Sequence, residues 1–131
     1  LAQLIDEGHA TTGMRAARGH QLRVLFSSAL STMFGDVDCM LCPTIPKLIP
    51  NLAKMTDYGS DPKVLHAIMR FTAPFNFSGN PTITLPSGID TAGMPLSMQI
   101  VGPHLGESSI IQVADAYQRV TSWHTRHPRI G

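Results

Sequence analysis

The sequence predicts an α/β fold in which helices flank a small β-sheet, and two kinds of periodicity predict it. Apolar residues recur at helical spacing in the segments 22–33 and 110–120, which places them on one face of a helix. Between these segments, the runs 82–85 and 96–101 alternate apolar and polar residues, as strands with one buried face do. The predicted order is helix, strand, loop, helix, strand, strand, helix.

The first predicted helix has one apolar stripe, formed by Leu22, Leu25, Phe26, Ala29 and Met33. Good helix formers upstream extend this helix to near Thr12, and Gly35-Asp36 ends it. The short apolar run 37–42 follows and is closed by Pro43. Its length and its proline boundary favour a buried strand over a helix.

A proline-rich loop at residues 43–62 lies inside what we predict to be a single domain, residues 1–131. Proline lacks a backbone donor and fixes φ, so this stretch must be extended or looping. Asp61 and Pro62 are suited to open a second helix, as the N-cap residue and the first helical residue. Helical spacing of apolar residues carries this helix to about Phe71.

The C-terminal half is predicted to contain a turn, two strands and a helix. Residues 72–81 are rich in turn-forming residues, and the short connection between the strands 82–85 and 96–101 favours an antiparallel pair. The last helix is expected to start near Gly106, with Ser109 and Gln112 as a capping box. Its buried side is predicted to consist of Ile110, Val113, Ala114, Tyr117 and Val120.

Composition excludes several classes of function. The net charge of +1 offers no electrostatic attraction to nucleic acid or to an anionic membrane. No apolar run approaches the roughly 18 residues that span a bilayer, and the first residues show no targeting signal. The charged share of 15% is below the typical share of about 25%, which suits either covered faces or a small neutral domain. Seven methionines and two cysteines favour a reducing, cytoplasmic location.

Four residues have the spacing of a metal or redox site. Cys39 and Cys42 are separated as in redox and zinc motifs, and His124 and His127 could complete a Cys2His2 set. Residues three apart on a strand point to opposite faces, so the two thiols could not easily meet one ion. We therefore predict inert cysteines, no metal and no cofactor, and keep a thiol or zinc protein as an alternative.

The chain shows no nucleophile of a serine hydrolase. The G-x-S-x-G motif is absent, and the serine pairs 27–28 and 108–109 lie in predicted helices or at a cap. The three lysines, Lys47, Lys54 and Lys63, lie in or near the proline-rich loop. A serine activated by lysine needs the amine within hydrogen-bond reach of the hydroxyl, and no spacing here provides that. We predict no catalytic residue in this chain.

The segment 71–81 has the composition of a small-molecule pocket. It interleaves three phenylalanines with small polar side chains, and Gly79 permits a tight turn. Apolar walls with a few fixed polar groups are what such a pocket requires. The alternative is that the rings pack in the core while Asn76 and Asn80 satisfy turn amides.

Four blocks, in order, resemble the amidase-signature family. They are residues 38–46, residues 71–81 with 85–88, residues 93–102, and the apolar helix from Glu107 to Trp123-His124. The resemblance implies the C-terminal part of a mixed β-sheet flanked by helices. It also implies cleavage or transfer of an amide by a serine, a bridging serine in a cis peptide and a lysine. In the family those groups belong to an earlier region, so we expect them upstream of Leu1.

The resemblance implies that this chain supplies scaffold and one pocket wall to an amidase acting on a small carboxamide. The residues that match the family's substrate-side segment, and are expected to bind substrate, are Phe71, Thr72, Phe75 and Asn76. Phe77-Ser78 resembles a general amidase more than the transamidosome amidotransferase A subunits of the same family. The expected partners are the amide and the missing N-terminal part of the same protein, with a homodimer left open. A catalytically inactive remnant or structural module is the alternative.

Overall fold

The computed structural model describes residues 2–46 and 61–128, and the predicted α/β class is confirmed. Most of the predicted proline-rich loop, with Lys47 and Lys54, lies outside the described residues. The helices are α1 (Ala2–His9), α2 (Gly13–Met33), α3 (Pro62–Met69), α4 (Ala73–Ser78) and α5 (Glu107–Val120), followed by a 3-10 helix (Trp123–Thr125). The strands are β1 (Met40–Pro43), β2 (Thr82–Ile89) and β3 (Pro95–Val101).

The three described strands form one sheet in the order β1-β3-β2, and both pairings are antiparallel. The predicted pairing of the last two strands is therefore confirmed. Strand β2 runs four residues beyond its predicted end at Leu85, with a register irregularity between Pro86 and Gly88. Proline is tolerated there because β2 lies at the edge of the described sheet, where one side of its backbone needs no partner.

One face of the sheet holds the apolar core. Helix α5 packs on β2 and β3 at this face. The buried cluster consists of Leu85, Ile100, Ile110 and Ala114, with Cys39, Ile83, Met98 and Tyr117 packed against it. Ile100, at the centre of β3, has no exposed surface. Burial of such side chains from both the sheet and the helix is the main source of stability here.

The opposite face is polar at its centre, where Gln99 lies between Cys42 on β1 and Thr84 on β2. The junction of α3 and α4 covers Gln99, whose side-chain amide donates to the Phe71 carbonyl. Helix α2 packs on the outer side of α4. The resulting layers are α5, sheet, α4 and α2.

Helix α2 begins as predicted, because the Thr12 side chain caps it by accepting from the Arg15 amide at 3.3 Å. Its apolar stripe, however, is mostly uncovered. Leu22 is 46% and Leu25 is 65% exposed, and no residue of the helix is buried. Among the described residues, no helix combines the length and apolar content needed to cross a membrane.

Local differences from the predicted elements have local causes. Residues 73–78, expected as turn chemistry, form α4, which has a proline in its first turn and ends at Gly79 in the left-handed region, φ 82°. The strand predicted at residues 37–42 is observed as β1 at Met40–Pro43, because pairing with β3 starts only where Met40 lies opposite Val101. Asp61 caps α3 as predicted.

The capping box predicted for the last helix is wrong. Helix α5 starts three residues earlier than Ser109 would allow as a cap, with Gly106 as N-cap and no side-chain capping bond. Its predicted buried side is confirmed at Ile110 and Ala114. It is wrong at Val113 and Val120, which are 37% and 82% exposed.

Gly106→Ala tests the tight turn that starts α5. A Cβ there would lie 2.8 Å from Pro103 Cγ and 2.9 Å from the Pro103 carbonyl oxygen, so the turn must open. We expect the free energy of unfolding, measured by urea denaturation, to fall by about 1–3 kcal/mol. Gly19→Ala is the matched control, because no atom lies within 4 Å of a Cβ at that helical position. This control should raise the free energy of unfolding by about 0.5–1 kcal/mol. If both substitutions changed the free energy of unfolding in the same direction, the tight turn at Gly106 would not explain the result.

Candidate functional site

Residues 71–80, which we call the wall segment, link α3 to β2 on the sheet face opposite α5. The segment contains all four residues predicted to bind substrate. Its core is the short helix α4, and each of its ends is tied to β3 or to the residue that follows β3. A segment held at both ends presents its side chains from fixed positions, which a binding site requires.

The C-terminal end of the wall segment is anchored by Asn80. This residue is 8% exposed, and its Nδ2 donates to the Gly102 carbonyl oxygen at 2.8 Å. The Gly102 amide in turn donates to the Pro81 carbonyl at 3.0 Å. Gly79 makes the reversal before this anchor, since its φ of 82° is strained for other residues. The sequence-based alternative expected Asn80 to satisfy turn amides. Its Nδ2 instead donates to a carbonyl, and its Oδ1, the atom that could accept from an amide, is buried without a hydrogen-bond partner among the described residues.

The four predicted binding residues differ in accessibility. Phe75 is 7% exposed and packs inward, whereas Asn76 is exposed to solvent. Phe71 and Thr72 are half-buried, and the Thr72 hydroxyl lies 3.5 Å from the Met69 carbonyl oxygen. The polar groups of Thr72 and Asn76 are therefore the reachable ones. Binding of substrate by these residues stays a prediction.

An apolar groove with a volume of about 840 Å³ borders the wall segment. Helices α2, α3 and α4 form it, and its main lining residues are Leu22, Phe26, Leu65, Met69, Pro74 and Phe77. The rings of Phe26 and Phe77 lie 6.3 Å apart, which joins α2 to α4. The apolar stripe of α2 was visible in the sequence, but the groove was not, because its residues come from three separate helices.

A basic edge borders the other side of the wall segment, at Gly79. A Cβ on this glycine would lie 3.6 Å from His104 Cε1 and 3.8 Å from Arg23 Nη2. Arg23 comes from α2 and His104 from the loop after β3, so the sequence did not single them out. A guanidinium beside this segment favours negative charge at that point.

The cysteines lie on opposite faces of the sheet, as predicted. Cys39 packs against the core beneath α5, whereas Cys42 lies beside Gln99 on the other face. Burial raises the pKa of the Cys42 thiol, partly offset by its hydrogen bond with Gln99, and a raised pKa favours the unreactive protonated form. His124 and His127 line a separate cavity beside the β2–β3 hairpin. Within residues 2–46 and 61–128, no cluster of three or more metal-binding side chains occurs.

Two of the described serines, Ser27 and Ser78, contact backbone carbonyls through their hydroxyls. Ser27 Oγ lies 3.5 Å from the Ser78 carbonyl oxygen, and Ser78 Oγ donates to the Phe75 carbonyl at 3.3 Å. Lys63 is exposed at the start of α3. The Ser78 contact is the local kind that hydroxyls make in helices, whereas the Ser27 contact joins α2 to α4.

Comparison with known proteins matches the chain to one family and to relatives in several bacteria. The model of the Amidase family matches residues 3–111. The AmiD protein of Mycobacterium tuberculosis, which is named as an amidase, is 35% identical over 130 residues, covering 99% of this chain and 27% of AmiD. A glutamyl-tRNA(Gln) amidotransferase chain of Picosynechococcus is 33% identical over 113 residues, covering 86% of this chain and 23% of the amidotransferase chain.

A solved structure agrees with these relatives. The 6-aminohexanoate cyclic dimer hydrolase superposes with a TM-score of 0.83 and 25% sequence identity, covering 97% of this chain and 28% of that chain. The same hydrolase complexed with substrate superposes with a TM-score of 0.79. The chain thus spans about a quarter of the length of the relatives that it matches.

Asn80→Ala tests the C-terminal anchor of the wall segment. The substitution removes the donor to the buried Gly102 carbonyl, so we expect a loss of about 1–3 kcal/mol in the free energy of unfolding by urea denaturation. Asn76→Ala is the matched control on the same segment. Its exposed side chain should cost no more than about 0.5 kcal/mol. Equal losses in the two variants would show that Asn80 does not anchor the segment.

Proposed function

The chain belongs to the Amidase family, and we propose that it is the C-terminal part of an amidase that hydrolyses a small carboxamide. The observation that carries the proposal is the superposition of almost the whole chain on a solved amide hydrolase. The agreement extends through the sheet, the wall segment and α5 rather than resting on one motif. In the proposed protein this chain contributes scaffold and one wall of the substrate pocket.

The proposal assigns the chemistry to residues upstream of this chain. A serine there attacks the amide carbonyl, with a second serine in a cis peptide and a lysine moving its proton to the leaving nitrogen. The amine leaves, and water then cleaves the acyl-serine ester to release the acid. The contacts of Ser27 and Ser78 support the assignment of the catalytic groups to the upstream region, because both hydroxyls contact backbone carbonyls rather than an activating amine.

The proposal assigns substrate binding to the wall segment. Thr72 and Asn76 supply polar groups that can hydrogen-bond the amide or its substituents, and Phe71 and Phe75 provide the apolar backing. Two hydrogen bonds hold the segment in place, one from Gln99 to the Phe71 carbonyl and one from Asn80 to the Gly102 carbonyl. Pre-positioned groups of this kind lower the cost of ordering the site when substrate binds.

The exposed apolar stripe of α2 suits contact with the upstream part of the same protein. Leu22 and Leu25 are large apolar residues with about half or more of their surface exposed, and the groove beside them is equally apolar. Patches of this kind on soluble proteins mark contact surfaces. Coverage of only about a quarter of each relative makes the remainder of the polypeptide the partner that we propose for this surface.

Amide hydrolysis is tested by measuring ammonia release from a panel of primary carboxamides. We expect the protein that includes the upstream region to release ammonia and residues 1–131 alone to release none. Replacing the upstream serine by alanine should abolish hydrolysis. The double variant Ser108→Ala/Ser109→Ala, exposed on α5, should keep kcat within about twofold, as surface substitutions do. Hydrolysis by the isolated chain, lost on replacing one of its own serines, would contradict the proposal.

Asn76→Ala tests substrate binding by the wall segment. Loss of one hydrogen bond to the substrate should raise KM by about tenfold with little change in kcat, if the bond is equally strong in the ground and transition states. Steady-state kinetics on the best carboxamide of the panel provide the measurement. Gln112→Ala, exposed on α5 at the far side of the sheet, is the control. An unchanged KM in the Asn76 variant would remove this residue from the proposed site.

A further inference from the structure

Gln99 is a buried polar residue at the centre of an otherwise apolar stretch of β3. Its exposed surface is 2%, and its neighbours Met98, Ile100 and Val101 are all apolar. Burying a primary amide is costly unless its hydrogen-bonding groups are satisfied. A methionine has nearly the same shape and would fill this space without that cost. The amide must therefore be explained by the partners that it binds.

The partners of Gln99 come from two separate parts of the chain. Its Nε2 donates to the Phe71 carbonyl and lies 3.5 Å from the Pro43 carbonyl oxygen at the end of β1. Cys42 lies directly opposite Gln99 on β1. The amide thus joins the central strand to the start of the wall segment.

The hydrogen bond to Phe71 lies at the junction where the backbone hydrogen bonds of α3 end and those of α4 begin. Helix α3 ends at Met69 and α4 begins at Ala73. Around this junction, the Thr72 amide donates to the Met69 carbonyl and the Asn76 amide donates to the Thr72 carbonyl. The Phe71 carbonyl between them is bound by Gln99. This one contact therefore sets how far the junction stands from the sheet.

The two ends of the wall segment are held in the same way. At one end the Gln99 amide binds the Phe71 carbonyl, and at the other the Asn80 amide binds the Gly102 carbonyl at 2.8 Å. Gln99 lies on β3 and Gly102 follows β3 directly. The strand thus determines where both ends of the segment lie. Directional hydrogen bonds fix such a distance more sharply than apolar contacts do.

We infer that Gln99 is a positioning residue for substrate binding. It holds the Phe71–Thr72 junction so that Thr72 and Asn76 keep the positions from which they contact the amide. The inference rests on the proposed function of the wall segment, and every contact in it lies within the described part of the chain. Gln99 does not touch the substrate, and its effect is carried by the backbone of Phe71.

The experiment is Gln99→Met in the protein that includes the upstream region. The variant keeps the shape of the side chain and removes its donors. We expect KM for carboxamides to rise by about tenfold while kcat stays within about twofold. The displaced wall segment loses contacts that bind the ground state and the transition state equally, so binding weakens while the chemical step keeps its rate. Backbone hydrogen exchange should become faster at residues 72–76. A residue needed only for stability would instead change exchange across the sheet and leave KM unchanged.

Thr84→Val is the matched control. Thr84 lies directly opposite Gln99 on β2, on the same face, and it is exposed. Its replacement removes a neighbouring polar group without affecting the bond to Phe71. Both KM and hydrogen exchange at residues 72–76 should match the wild type. Equal changes in the two variants would overturn the role of Gln99.

Gln99→Glu keeps the inference testable if the methionine variant does not fold. A protonated carboxyl can still donate to the Phe71 carbonyl, whereas an ionised one cannot. The ratio of the variant's KM to the wild-type KM should therefore rise with pH, and a ratio independent of pH would overturn the inference. If the wild type hydrolyses no carboxamide, the proposed function is wrong, and hydrogen exchange then decides alone whether Gln99 fixes the junction.

Discussion

The backbone pairing of β3 with a strand on each side is the constraint on which the described structure depends. β1 and β2 both pair with it in antiparallel register, so the position of its backbone is set from both sides. Ile100 and Gln99 are adjacent on this strand and therefore point to opposite faces. Ile100 meets α5 in the apolar core, and Gln99 meets the wall segment. One strand thus positions both helical layers.

The two faces of this strand differ in the physics of their contacts. On the α5 face, apolar burial is large and non-directional, so it contributes stability without demanding a particular distance. On the wall-segment face, Val101 and Phe75 are buried as well, and amide-to-carbonyl bonds add ties that depend on distance and angle. A pocket wall needs position more than it needs burial. The division places the stabilising core and the candidate site on opposite sides of the same sheet.

The proposed role, one wall of the pocket of a larger amidase, requires the arrangement described here. The wall segment is held from behind by β3, while its outer side borders an apolar groove and the basic edge formed by Arg23 and His104. Helix α2 adds an apolar stripe that the described residues leave largely uncovered. Some of the exposed apolar side chains, Leu22 and Phe77 among them, line the groove beside the candidate site. A surface that contacts the rest of the proposed protein is most useful beside the candidate site.

What the sequence determined alone is whatever depends on near neighbours along the chain. The α/β class, the antiparallel strand pair, the starts of helices at Thr12 and Asp61, and the opposite faces of the two cysteines all follow from periodicity or capping within a few residues. Tertiary structure alone decided which polar groups hold the wall segment. Gln99 is 28 positions from Phe71, and Asn80 is 22 from Gly102. No local pattern encodes such pairs, because each arises only once the sheet has set the register that brings the two groups together.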